Sequence, residues 1–107
     1  MSSEISFTHE TGEKKGCKIT VYALSTCGFC KRALAFLRDN SVEFEYVYVD
    51  KLDRKTRDKI VDELKGKYNR RVAFPFLVID GEECMVGFNT EKYENLLDIM
   101  ETHQHDL

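Results

Sequence analysis

Between Lys18 and Met100 the apolar positions of this chain follow two periods in turn, and each switch between them marks the edge of an element. Ile19, Val21 and Ala23 alternate with Thr20, Tyr22 and Leu24, and because both sets are mostly apolar they predict a strand buried on both faces. Phe29, Ala33, Phe36 and Leu37 then recur at helical spacing, with Lys31, Arg32, Arg38 and Asp39 on the other faces. Ser25-Thr26 ahead of them offers helix-start oxygens, and Asn40-Ser41 closes the segment. Val42 to Val49, rich in aromatic and β-branched residues, predicts a second strand ending at Asp50. From about Asp53 to Tyr68 the chain is charged except for one stripe, Ile60, Val61, Leu64 and Tyr68, which predicts a surface helix stopped near Gly66 and Asn69. Phe76-Leu77-Val78-Ile79, Asp80-Gly81 and Glu82 to Val86 read as a hairpin, since Asp-Gly tolerates the positive φ angles of a tight turn. Asn89 caps a last helix carrying Tyr93, Leu96, Leu97 and Met100.

The order is therefore β-α-β-α-β-β-α, an α/β chain. The first strand-helix-strand crossover requires a parallel, right-handed pair, and the hairpin adds antiparallel strands, so the sheet is mixed. Residues 1–16 hold no sustained period and predict a flexible extension, 17–101 form the folded domain, and 102–107 form a frayed tail. A length of 107 residues suits one hydrophobic core and excludes a multidomain architecture.

Charge narrows the partners. Sixteen basic against nineteen acidic residues leave a net charge of −3 with no dense basic run, so nucleic acid is not an expected partner. No apolar run approaches the roughly 20 residues of a membrane span. Met1 to Lys15 is polar where a signal peptide carries an apolar core. The expectation is a cytoplasmic monomer that does not engage membranes. In that compartment ordinary thiols stay reduced, so four cysteines point to chemistry or metal before they point to a disulfide framework.

Cys27 and Cys30 form a C-x-x-C where the first strand hands over to the first helix. Free N–H groups and the helix dipole favour an anion there, and a thiolate is the anion at hand. A thiol of pKa 8.5 is only about 3% ionised at pH 7, whereas one shifted to roughly 6 is about 90% ionised, a thirtyfold gain in attacking species. Cys30, three residues on, lies within reach of disulfide geometry and is the candidate resolving thiol. Read as half of a structural zinc site, the pair would need two further ligands; Cys17 and Cys84 stand alone, and His9, His103 and His105 lie near the ends of the chain. Redox chemistry is the stronger reading. Cys17 and Cys84 read as quiet apolar fillers, and Phe44, Tyr46 and Tyr48 as sheet residues.

From Cys17 to Met100 the chain resembles the glutaredoxins and the glutaredoxin-like redoxins that reduce ribonucleotide reductase. The resemblance rests on Thr26-Cys27-Gly28-Phe29-Cys30 after a buried strand, Ala73-Phe74-Pro75 before an apolar strand, and Val86-Gly87-Phe88-Asn89 opening the last helix. It implies a thioredoxin-like fold, a four-stranded mixed sheet with three helices, and a dithiol thiol–disulfide oxidoreductase in which Cys27 attacks and Cys30 resolves. It further implies a cis bond before Pro75, with Phe74 offering its backbone to an extended thiol substrate. Phe29, Phe74, Pro75, Gly87, Phe88, Asn89 and Thr90 become the candidate substrate-binding residues. Expected substrates are disulfide-containing proteins, ribonucleotide reductase among them, or small thiols.

The glutathione pattern of that family is incomplete here. A Lys or Arg three residues before the first cysteine is replaced by Leu24, the usual Thr-Val-Pro by Ala73-Phe74-Pro75, and the acid before the last helix by Asn89-Thr90. These departures imply weak glutathione binding, with Arg70-Arg71 as an alternative carboxylate clamp and another low-molecular-weight thiol as an alternative reductant. No resident cofactor or metal is expected. The alternative reading is an iron–sulfur carrier with Cys27 as ligand, because Gly28-Phe29 is similar to the motif of monothiol relatives that hold a cluster between two subunits.

Overall fold

The computed structural model describes residues 5–105, and side chains as far as Glu101. Its elements are β1 (Thr8–Glu10), β2 (Ile19–Ala23), α1 (Gly28–Asp39), β3 (Phe44–Tyr48), a 3-10 turn (Val49–Lys51), α2 (Arg54–Tyr68), β4 (Phe76–Ile79), β5 (Glu83–Val86) and α3 (Thr90–His105). The strands lie in the order β1-β3-β2-β4-β5. β2 runs parallel to β3 and antiparallel to β4, which pairs antiparallel with β5. This is the mixed sheet expected of a thioredoxin-like fold, with three helices packed on it.

β2 is central, and its two faces feed two cores. Ile19, Val21 and Ala23, joined by Leu77, face a cluster completed by Ala33, Leu34 and Leu37 of α1 and Tyr93, Leu96 and Met100 of α3. Phe76 and Val78 face the other way, against Ile60 and Leu64 of α2. Asp80 and Gly81 take φ of 54° and 72°, and the Glu82 N–H donates to the Ile79 carbonyl at 3.0 Å, as the Asp-Gly pair predicted. Among the described residues no helix is long and apolar enough to cross a membrane.

Three expectations need correction. The sheet has five strands and not four, because Thr8–Glu10, inside the segment predicted as a flexible extension, pairs antiparallel with β3. A strand of three residues is too short to leave a period in the sequence, yet it covers the otherwise open edge of β3. Glu10 is tied to Arg38 of α1 at 3.1 Å, and Lys14 bridges Val42 beyond the strand. The apolar stripe of α1 is Cys30, Ala33, Leu34 and Leu37, so Phe29 lies off it and is 57% exposed. At the C-terminus α3 continues to His105, past the fray expected from residue 102. The expectations for 1–4 and 106–107 lie outside the described residues.

Candidate active site

Where β2 ends, the chain makes one turn before α1 begins, and backbone hydrogen bonds settle the shape of that turn. The Cys27 N–H donates to the Leu24 carbonyl at 3.2 Å. Ser25 is held from outside: its N–H and hydroxyl donate to the two carboxylate oxygens of Asp50 at 2.9 and 2.6 Å. Ser25 therefore does not cap the helix, contrary to the expectation from Ser25-Thr26. The cap is Cys27 itself, with extended backbone (φ −92°, ψ 122°) and a sulfur that accepts the Cys30 N–H at 3.2 Å. A sulfur in the N-cap position receives the helix's free N–H groups directly, which is the arrangement that favours its anion.

The two cysteines are unequal. Cys27 is half-buried, and although burial alone would push its pKa up, hydrogen bonds from the Cys30 thiol and from the Cys30 and Phe29 N–H groups together hold it below the ordinary thiol value. Cys30 is 0% exposed. Burial first, and then the proton it shares with Cys27, push it up to about 12, against the opposing effect of the Leu24 N–H, which donates to Cys30 Sγ at 3.4 Å. Burial of Cys30 and the hydrogen bonds that Cys27 accepts together favour a thiolate at the helix start and a protonated thiol one turn inside it. The carboxylate of Asp50 is itself held low, chiefly by the hydroxyl and N–H of Ser25. Gly28 has open space where a Cβ would sit and no positive φ, so its backbone is one that other residues adopt equally well.

Sheet register brings the remaining candidates to this end of the molecule. Phe76 pairs with Tyr22, near the end of β2, and with Val86 on the other side. One step further on are Pro75, whose carbonyl accepts the Gly87 N–H at 2.8 Å, and Phe74, joined to it by a cis bond. Gly87 has φ 81°, a left-handed conformation that glycine takes without a Cβ penalty. Cys27, Phe74 and Phe88 all pack against the α1–α3 side of the core. Phe88 points inward, its ring 4.8 Å from that of Tyr93. Asn89 caps α3 through the Lys92 N–H at 3.0 Å, and Thr90 is the exposed first residue of that helix. Phe29 stands out from the surface with the Arg32 guanidinium 5.7 Å from its ring centre. Arg70 and Arg71 are exposed and share a shallow groove with Val61, Lys65 and Val72.

Cys17 and Cys84 are not part of this constellation. Cys17 packs with the α1–α3 core and Cys84 with the α2 core, on opposite faces of the sheet. Asp50, and Leu24 as a hydrogen-bond donor, were missed as site residues. A helical phase that starts at Cys30 and runs through Ala33, Leu34 and Leu37 would have identified the buried thiol. Nothing local announces the Asp50–Ser25 pair, which joins the turn after β2 to the 3-10 turn after β3.

A family model for glutaredoxin matches residues 19–84. The probable glutaredoxin ssr2061 of Synechocystis sp. is 42% identical over 65 residues, which cover 61% of this chain and 68% of that protein. Glutaredoxin 1 of Rickettsia prowazekii is 32% identical over 89 residues, covering 80% of this chain and 88% of its own. Among solved structures, the glutaredoxin of Methanosarcina mazei superimposes with a TM-score of 0.74 at 35% identity, over 87% of this chain and 88% of that one.

Proposed function

This chain belongs to the glutaredoxin family of thiol–disulfide oxidoreductases, and on that footing we propose that it reduces protein or small-molecule disulfides by a dithiol mechanism. The observation that supports this most directly is the inequality of the two thiols: Cys27 half-exposed and held low, Cys30 buried and pushed up to about 12. Cys27 attacks one sulfur of the substrate disulfide, forms a mixed disulfide with it and expels the other half as a thiolate. Cys30 then attacks Cys27 Sγ, the bond from Cys27 to the substrate breaks, and the second half leaves. In balance, two thiols of the protein are oxidised to one disulfide, the substrate disulfide is reduced to two thiols, and the two protons pass to the leaving groups. Phe74 before the cis bond offers backbone groups to an extended substrate, and exposed Phe29 adds apolar contact beside the nucleophile.

The test is Cys30→Ser. That variant should accumulate a mixed disulfide on Cys27 that mass spectrometry detects, and its turnover of a protein disulfide should fall at least tenfold, because no internal thiol is left to release the product. Turnover equal to that of the wild type would mean that external thiols do the resolving and that the dithiol route is wrong.

Leu24 bears on the electron donor. It is half-buried and leans on the α1–α3 core, and it brings no charge to the rim of the site. A substrate carboxylate beside it forgoes a charge-assisted hydrogen bond worth roughly 1.5–3 kcal/mol. Glutathione should accordingly be a poor reductant, and Leu24→Lys should raise turnover with glutathione severalfold while leaving reduction by dithiothreitol nearly unchanged. A wild-type protein that already runs on low glutathione, with no gain from Leu24→Lys, would assign the carboxylate to Arg70, Arg71 or Lys31. The physiological partner then remains either a disulfide protein such as ribonucleotide reductase or a small thiol, acting on a cytoplasmic monomer.

A further inference from the structure

Tyr93 sits in the first turn of α3, 1% exposed, its ring edge-on to Phe36 of α1 at 5.8 Å and to Phe88 at 4.8 Å. Its hydroxyl oxygen is fully enclosed and has no hydrogen-bond partner among the described residues. A buried hydroxyl without a partner is unfavourable, and a phenylalanine would fill the same space without it. The core around it also holds Cys30. The two side chains belong to one buried cluster. Burial first, and then the negative charge of a Cys30 thiolate, hold the Tyr93 phenol above its ordinary range.

In the reduced protein Cys30 shares its proton with Cys27, the Leu24 N–H from the end of β2 supports its sulfur, and the Asp50 carboxylate beyond β3 opposes a charge on it. Tyr93 is the titratable group that α3 contributes to the buried cluster holding Cys30. Once Cys27 is tied up in a mixed disulfide it carries no charge and accepts no proton, yet Cys30 must now become a thiolate inside the core. We propose that the Tyr93 hydroxyl is a positioning residue for this second step, turning its O–H toward the thiolate forming on Cys30 and thereby setting how fast the mixed disulfide is resolved. The inference rests on the dithiol reading given above. The step balances as before: the Cys30 S–H bond breaks, its proton passes to the departing thiolate, the Cys27–Cys30 bond forms and the bond from Cys27 to the substrate breaks.

The test is a single turnover of the full-length reduced protein, held in excess over 5,5′-dithiobis(2-nitrobenzoate), whose two thiolates are coloured. The first is released when Cys27 attacks and the second when Cys30 resolves. Tyr93→Phe should leave the first phase unchanged, slow the second about tenfold at pH 7 and move its pH midpoint up by about one unit. Tyr93→Met, which also lacks the hydroxyl, should do the same. The phenylalanine variant should melt no lower than the wild type, since the hydroxyl has no resting partner to lose. A second phase unchanged in rate and midpoint overturns the inference, as does a clear loss of stability in Tyr93→Phe. A wild-type protein with no second phase overturns the dithiol reading itself, and this inference with it.

Discussion

Replacing Cys27 by serine is expected to lower disulfide reduction on the order of a thousandfold or more, because a serine hydroxyl is not ionised at neutral pH and no other group at the helix start can serve as nucleophile. Cys30 cannot substitute for it. That thiol is 0% exposed and pushed up to about 12, so at pH 7 it is protonated and shielded from any disulfide outside. Cys17 is buried among core side chains, and burial first, then the nearby Asp80, raise its pKa as well. The same logic sets the pH profile of the wild type. Because hydrogen bonds from Cys30 and Phe29 overcome burial and lower the Cys27 pKa, the thiolate is already formed below the ordinary thiol range. The rate of the first attack should rise with pH through that lowered value, then level off before an ordinary thiol would. Stopped-flow measurement of the attack between pH 4 and about pH 9 checks it. Appreciable turnover by Cys27→Ser, or a wild-type rate that climbs all the way to the ordinary thiol range, would show that another thiol carries the reaction.

Gly12→Ala should cost about 1–3 kcal/mol of stability through backbone overlap, with activity preserved in the molecules that remain folded. A Cβ at Gly12 would stand 2.5 Å from the Ser41 carbonyl oxygen and 2.6 and 2.7 Å from backbone atoms of Val42 and Glu43. Backbone of this kind cannot swing aside as a long side chain can. The strain falls where Lys14 bridges Val42 and β1 lies on β3, at the end of the sheet opposite Cys27. Thermal unfolding should shift downward by several degrees, and amide exchange should speed up at Thr8, Glu10 and Glu43 first. An unchanged melt together with unchanged exchange would mean that the N-terminal segment adds no stability to the sheet. Gly28→Ala is the companion control, since a Cβ there meets open space.

The sequence was informative wherever an element answers to its own neighbours. Burial of β2 on both faces, the stripe of α2 through Ile60 and Leu64, the cap at Asn89 and the paired positive φ of Asp80 and Gly81 all depend on residues a few positions apart. The C-x-x-C at a strand-to-helix junction was legible for the same reason, and the resemblance to glutaredoxins carried the cis bond before Pro75. Phase was the weak point inside α1. Counting from Phe29 placed a large aromatic on the core stripe, where the smaller Cys30 belongs, and so hid the fact that the second thiol is a core residue.

Tertiary structure decided the rest, and each case involves partners distant in sequence. β1 owes its existence to the free edge of β3, since three residues bury too little to form a strand alone. Ser25 turned from helix cap to anchor only because the parallel pairing of β2 and β3 brings Asp50 beside it. The order of acidity within the pair was legible from the helix start, but its extent required knowing that Cys30 is fully buried, with the Leu24 N–H on its sulfur. Local pattern can select a helix start as the place for a thiolate, because N–H groups and dipole are properties of the helix itself. How far each thiol is moved from its ordinary pKa depends on burial and on donors from other elements, and only the folded chain brings those within reach.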